Sequence, residues 1–148
     1  MIRAATINDI NTICRLKLIM FEESGHSDLL HKNATETIKK VYEKMYFEHS
    51  AIHFINEIND DIIACAGAFI KNDIPYCFFS NPFYGFIGDV YTLPEYRGNG
   101  YATELTAEAI SWIKTKGVQR ISLLASEQAR GIYKRMGFSP TDEMVKYV

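Results

Sequence analysis

The stretch from Tyr91 to Ala102, Tyr-Thr-Leu-Pro-Glu-Tyr-Arg-Gly-Asn-Gly-Tyr-Ala, puts two glycines and an arginine where an apolar run gives way to a helical pattern. Backbone N–H groups in the first turn of a helix have no internal partners, and the aligned peptide dipoles place about half a positive charge there, so an anion is stabilised at such a point. Gly98 and Gly100 let the main chain approach a phosphate with no side chain in the way. Ala102 is small, and Arg97 adds charge and a fork of donors. A diphosphate fits this turn. The same glycines also serve a plain tight strand-to-helix connection, and the turn by itself does not choose between the two. Two nucleotide motifs are excluded, because the third glycine of G-x-G-x-x-G falls on Thr103 and no Gly-Lys-Ser/Thr follows.

The elements that must position this turn follow from periodicity. Met1 to Ala5 reads as a first strand, and Thr6 or Asn8 caps a helix carrying Ile10, Ile13, Cys14, Leu18 and Phe21 at helical spacing. A polar loop through Ser24, Gly25, His26, Ser27 and Asp28 precedes a second helix with Ile38, Val41, Tyr42, Met45 and Tyr46 on one stripe, and that loop is placed to cover a site. Residues 51–58 and 61–70 form a hairpin about Asn59-Asp60, with Gly67 marking a bulge or a close contact. Residues 71–83 connect, with some extended structure around Tyr76 to Phe79. A strand over 84–93 stops at Pro94, and Gly88 within it permits a bulge. The helix over 100–116 has the apolar stripe Ala102, Leu105, Ala109, Trp112 and Ile113, with Gly117 as its stop. A strand over 120–125, a short helix with Ala129, Ile132, Tyr133 and Met136 on one face, ended by Gly137, and a strand pair between Phe138 and Val148 complete the order. This predicts an α/β fold with a mixed, largely antiparallel sheet and flanking helices, in one domain spanning residues 1–148.

Composition narrows the function. The 148 residues are 47% hydrophobic, enough for a sizeable core, and a formal charge of -2 gives no basic field for a nucleic-acid backbone. Cys14, Cys65 and Cys77 are odd in number and form no C-x-x-C or Cys/His cluster, so neither a disulfide framework nor a zinc site is expected. His49 and His53 stand apart and read as a helix-end and a strand histidine, giving no metal or catalytic pair. The chain shows neither a signal-like apolar N-terminus nor a run of apolar residues of membrane-spanning length, which points to a soluble protein of the cytoplasm.

The segment Arg97-Gly98-Asn99-Gly100-Tyr101-Ala102 resembles the R/Q-x-x-G-x-G/A signature of the GNAT N-acetyltransferases, and Val90 to Tyr96 is similar to the family's approach strand and turn. Downstream, Ser126 to Phe138, with Tyr133 followed by Gly137-Phe138, is similar to the family's last helix. The resemblance implies acetyl-coenzyme A as donor. It places the pyrophosphate on backbone N–H groups from Gly98 through Asn99, Gly100, Tyr101 and Ala102 to Thr103, and pairs the pantetheine arm with the strand edge at Val90, Tyr91 and Thr92. Tyr133 matches the family's general acid for the departing thiolate; its ordinary reading is a core tyrosine. Ser126 stands where the family often has Asn, near the arm, and Arg130, Lys134 and Arg135 could meet the coenzyme's phosphates.

Some members carry a Glu earlier on the approach strand, where this chain has Phe86. Asp89 is then the nearest carboxylate, as a water-mediated proton relay or a holder of a cationic amine, or else an ordinary solvated or hydrogen-bonded strand aspartate. Glu22, Glu23, His26 and His31 flank the loop as pocket candidates. The expected activity is acetyl transfer to a primary amine of a small molecule, with acids around the loop leaning towards cationic amines and no metal required. The alternatives are a coenzyme A-binding sensor without efficient chemistry and a transferase acting on protein amines. Exposed sheet edges make a homodimer reasonable.

Overall fold

Among the described residues five strands lie in chain order across one sheet: β1 (Ile2–Ala4), β2 (Ala51–Ile58), β3 (Asp61–Asn72), β4 (Phe83–Thr92) and β5 (Ile121–Leu123). Neighbours are antiparallel except β4 and β5, which run parallel. The computed structural model describes residues 1–74 and 81–148, so the extended piece expected at Tyr76 to Phe79, and Cys77 with it, lies outside the described residues. Asn59 and Asp60 both take positive φ, 52° and 67°, the pair of left-handed positions that a two-residue type I′ hairpin requires.

The sheet is covered on both faces. On one lie α1 (Ile10–Glu23) and α2 (Ala34–Phe47), whose Ile10, Ile13, Cys14, Leu16 and Tyr42 pack on Ile55, Cys65, Phe69 and Tyr91. On the other lies α3 (Tyr101–Lys114), with Leu105, Ala109 and Ile113 against Ile63, Ala66, Ala68 and Ile87. Trp112 joins that second cluster at its margin, as its place in the helical stripe predicts. Central β3 is buried from Ile63 to Phe69, and its run of Ala, Cys and Gly lets both helical layers approach closely. At Gly85 a Cβ would stand 2.3 Å from Ile113 Cγ2, so α3 rests directly on the β4 backbone.

The short helix α4 (Arg130–Arg135) ends as the sequence predicts. Gly137 takes φ 92°, and the N–H of Phe138 donates to the Tyr133 carbonyl at 3.0 Å while that of Gly137 donates to Lys134 at 3.1 Å, the reciprocal pair of a Schellman stop. The strand pair expected between Phe138 and Val148 is not formed. Residues 139–148 carry no strand and lie exposed, because Pro140 lacks a donor and Asp142-Glu143 break the apolar run, leaving Met144 to Val148 without a strand partner among the described residues.

Two irregularities in β4 shape everything that follows. Its pairing with β5 covers only Gly85 to Ile87, so from Gly88 onward the two strands part. Against β3, Cys65 is opposite Tyr91 while Gly67 is opposite Gly88, which leaves Asp89 and Val90 facing the single residue Ala66. This is a bulge, and its left-handed residue is Asp89, φ 55°, rather than Gly88 as the glycine suggested. Aspartate is one of the few side chains that tolerate this region. The extra residue makes Asp89 and Tyr91 both face the α1–α2 side, while Val90 packs towards α3.

Candidate active site

A cleft of about 1350 Å³ opens where β4 and β5 separate, and it runs from the start of α3 past the bulge to α1 and α2. At one end Gly98 and Gly100 have φ 82° and 84°, and a Cβ on either would meet no protein atom within 4 Å. The glycines therefore answer a backbone requirement and leave open space in front of the chain. Gly100 is the N-cap of α3 with no side-chain cap bond, and the first ladder donor is Glu104 N–H to the Gly100 carbonyl at 3.1 Å. The N–H groups of Tyr101, Ala102 and Thr103 are left to face the cleft that these residues line. Asn99 lines no part of it; its amide donates to the Tyr96 carbonyl at 2.9 Å and so holds the turn.

Arg97 is directed elsewhere than its charge suggested. Its Nε donates to the Thr92 carbonyl at 2.9 Å and its other end to Glu23 of α1 at 2.6 Å. Glu23 also accepts from the Tyr91 hydroxyl at 2.5 Å, and these two donors hold its carboxyl below the ordinary value. Burial, reinforced by that hydrogen bond, pushes the Tyr91 phenol up to about 12. Val90, Tyr91 and Thr92 all border the cleft, and Thr92 Oγ1 is a buried oxygen with no partner among the described residues.

Beneath the bulge lies a charged cluster that the sequence did not announce. The Asp89 carboxylate, 2% exposed, accepts from the Lys17 ammonium, from the Tyr42 hydroxyl and from His53 Nε2 at 3.0 Å. His53 is fully buried, and the Tyr46 hydroxyl lies 2.8 Å from its Nδ1. With Tyr46 donating there, the ring proton sits on Nε2 and points at Asp89. Burial alone would raise the Asp89 carboxyl, but the His53 hydrogen bond and the Lys17 charge outweigh it and hold the group below the usual carboxylate range. Burial in turn drives Tyr42 far upward, with the Asp89 charge adding to it, so its hydroxyl is a fixed donor. Gly67 makes room for this cluster, since a Cβ there would lie 2.6 Å from the Phe69 ring and 2.9 Å from His53 Nε2.

On the β5 side, Leu124, Ser126 and Tyr133 complete the wall. Ser126 caps the turn before α4, its Oγ accepting from the Ala129 N–H at 3.3 Å. The Tyr133 ring is buried, packed edge-on against Phe138 with centroids 6.0 Å apart, and burial raises its hydroxyl above the ordinary phenol value. It is therefore a protonated hydroxyl at neutral pH.

Thus Tyr133, Asp89, the β4 edge and the α3 turn meet in one cleft, as do Phe86 and Glu23, whereas Glu22, His26 and His31 are exposed and line none of it. Sequence reasoning missed Lys17 and His53. Both left a faint signal: Lys17 follows Cys14 by three and precedes Phe21 by four on the apolar stripe of α1, and His53 alternates with inward Ala51 and Ile55 on β2.

The GNAT acetyltransferase family model matches residues 17–138, a span that includes every residue lining this cleft. The chain belongs to the GNAT family. It is 32% identical over 125 residues to N-alpha-acetyltransferase 30 of Schizosaccharomyces pombe, covering 80% of this chain and 79% of that protein. Among solved structures it superposes on a predicted acetyltransferase crystallised with acetyl-CoA from Clostridium acetobutylicum, TM-score 0.90 at 25% identity, over 100% of this chain and 95% of that one. A GCN5-related N-acetyltransferase from Ralstonia eutropha JMP134 gives the same TM-score and identity, with 100% and 97% covered. This GNAT chain is an acyltransferase that uses acetyl-CoA and acts on an amine. The residues present suit that donor: uncapped N–H groups at α3 for its phosphates, an unpaired stretch of β4 for its amide-bearing arm, and the unpartnered Thr92 Oγ1 beside that stretch. Among the described residues no His, Cys, Asp and Glu group could hold a metal ion, and no helix is long and apolar enough to cross a membrane.

Proposed function

We propose that this GNAT enzyme acetylates the primary amine of a small molecule by direct transfer, with Tyr133 as general acid. Acetyl-CoA supplies an acyl group activated as a thioester. In this reading the N–H groups of Gly98, Gly100, Tyr101, Ala102 and Thr103 hold its diphosphate, and Val90 to Thr92 align its arm, with Ser126 at the opposite wall. The Tyr133 hydroxyl supplies the proton that the thiolate needs as the amine takes the acyl group, and the amine nitrogen sheds a proton to solvent. The observation that carries the reading is the convergence of the parted β4 edge, the uncapped α3 turn and the protonated Tyr133 hydroxyl in one cleft.

Asp89 acts in this scheme through position rather than as base. Its carboxylate is saturated by Lys17, Tyr42 and His53, and an anion held below the usual carboxylate range is a weak proton acceptor. It fixes the bulge that turns the β4 edge into the cleft. A small acceptor is the simpler occupant of a cleft whose α1 end is tied to β4 and the α3 turn through the Glu23 bridge to Tyr91 and Arg97. The buried free thiols Cys14 and Cys65 support a reducing compartment such as the cytoplasm.

A second reading, acetylation of a polypeptide α-amine, is favoured by the similarity to N-alpha-acetyltransferase 30. Thiol release from acetyl-CoA, measured with small amines and with short peptides, separates the two. For the mechanism, Tyr133→Phe is expected to lower kcat by about 10²-fold or more while the acetyl-CoA Kd stays within about twofold. An unchanged kcat at saturating substrates removes Tyr133 from the acid role.

A further inference from the structure

The part of the cleft bounded by α1 and α2 is where an acceptor must sit if acetyl transfer occurs as proposed above, and the present inference rests on that reading. Its walls are Met20, Phe21, Val41, Met45, Phe69 and Phe86, an apolar and largely aromatic bowl. Two ammonium groups reach it. Lys17 Nζ stands 5.8 Å from the ring centres of Phe21 and Tyr42, and Lys71 Nζ stands 3.8 Å from that of Phe86.

The anions that α1 and β4 bring to the cleft are already used, and the remaining lining carboxylate, Glu127, belongs to the segment between β5 and α4. Asp89 is saturated by three donors, and Glu23 is held by Tyr91 and Arg97. Residues 75–80, Pro-Tyr-Cys-Phe-Phe-Ser, contain no carboxylate wherever they lie. Lys17 is neutralised by Asp89, whereas Lys71 forms no ion pair with any described residue and rests on the Phe86 ring. The bowl therefore presents one uncompensated cation over an apolar floor. A polycation entering here would find repulsion and no carboxylate to receive it, which reverses the leaning towards cationic amines drawn from the acids near the loop.

We infer that the acceptor is a primary amine that also bears a carboxylate on an apolar framework, with the carboxylate paired to Lys71 and the apolar body against Phe69 and Phe86. Lys71 then sets specificity, and its exposure keeps it accessible to a ligand arriving from solvent. The same chemistry is offered by a free apolar amino acid or by a peptide with an acidic residue next to its first position.

The test compares amines that differ in the carboxylate alone, L-phenylalanine with 2-phenylethylamine and L-leucine with 3-methylbutylamine, beside spermidine and a pair of hexapeptides with glutamate or lysine at the second position. Thiol release is followed with each. The acid-bearing member of each pair is expected to exceed its counterpart in kcat/KM by about tenfold or more, through KM, and Lys71→Glu is expected to lower that ratio by about tenfold or more. Lys71→Met, which removes the charge without reversing it, should fall between. Preference for the glutamate peptide over the free amino acids assigns the source as polypeptide.

Equal or better turnover of the decarboxylated amines or spermidine, or a ratio unmoved by Lys71→Glu, overturns the inference while leaving acetyl transfer standing. Acetyl-CoA binding with thiol release by none of the amines overturns both.

Discussion

Asp89 offers the sharpest test of how this site is held. In Asp89→Asn the left-handed backbone is kept, since asparagine tolerates φ 55° as well as aspartate does, so the change removes charge and one acceptor role without straining the bulge. Lys17, 22% exposed, is then left as a largely buried cation without a counter-ion, and His53 and Tyr42 lose a charged acceptor. Breaking a fully buried pair costs about 3–5 kcal/mol, and the partial exposure of Lys17 brings the expectation to about 3 kcal/mol. For a chain of this size that is a fall in Tm of about 6–12 °C, read by thermal unfolding. The double variant Asp89→Asn with Lys17→Met should recover about half of the loss, because the orphaned charge is gone. The sign with pH is fixed as well. The folded carboxyl lies below its unfolded value of about 3.9, so its contribution is complete above about pH 5 and fades as pH falls through the folded value. The stability gap between wild type and Asp89→Asn should thus be flat from pH 8 to about 5 and narrow below pH 4. A Tm drop under about 2 °C, or a double variant no better than the single, would refute this account of the cluster.

Three further outcomes follow from the same geometry. Gly100→Val forces a β-branched residue to φ 84° and fills the space before α3, so acetyl-CoA affinity by calorimetry should fall by about tenfold or more; unaltered affinity contradicts the diphosphate assignment. In Gly67→Ala the new methyl must displace the Phe69 ring and His53, an overpacking cost of about 1–3 kcal/mol visible as a lower urea midpoint, and a wild-type midpoint would show that the cluster yields freely. Glu23→Gln removes the charge that holds Arg97, and amide exchange at the turn after β4 should accelerate by about threefold or more; exchange unchanged from wild type would mean that the bridge does not secure the turn.

The parts of this enzyme that sequence specified are those whose signal is local. Two left-handed glycines before an apolar helical stripe fixed the α3 turn, Asn59-Asp60 fixed a hairpin, and Gly137 stopped α4 so that Phe138 folds back on Tyr133. Each depends on dihedral preferences and periodicity within a few residues, which the order of side chains encodes directly. The last ten residues show the limit of that reading, for their apolar positions suggested strands that find no neighbour among the described residues. Tertiary structure alone decided that Asp89 takes the bulge, that Lys17 from α1 and His53 from β2 converge on it from 72 and 36 residues away, and that Arg97 turns to Glu23. Whether a charge is a solvated surface group, a buried counter-ion or a free ligand for substrate depends on which other charges long-range pairing brings within a few ångströms, and no window along the chain holds that information.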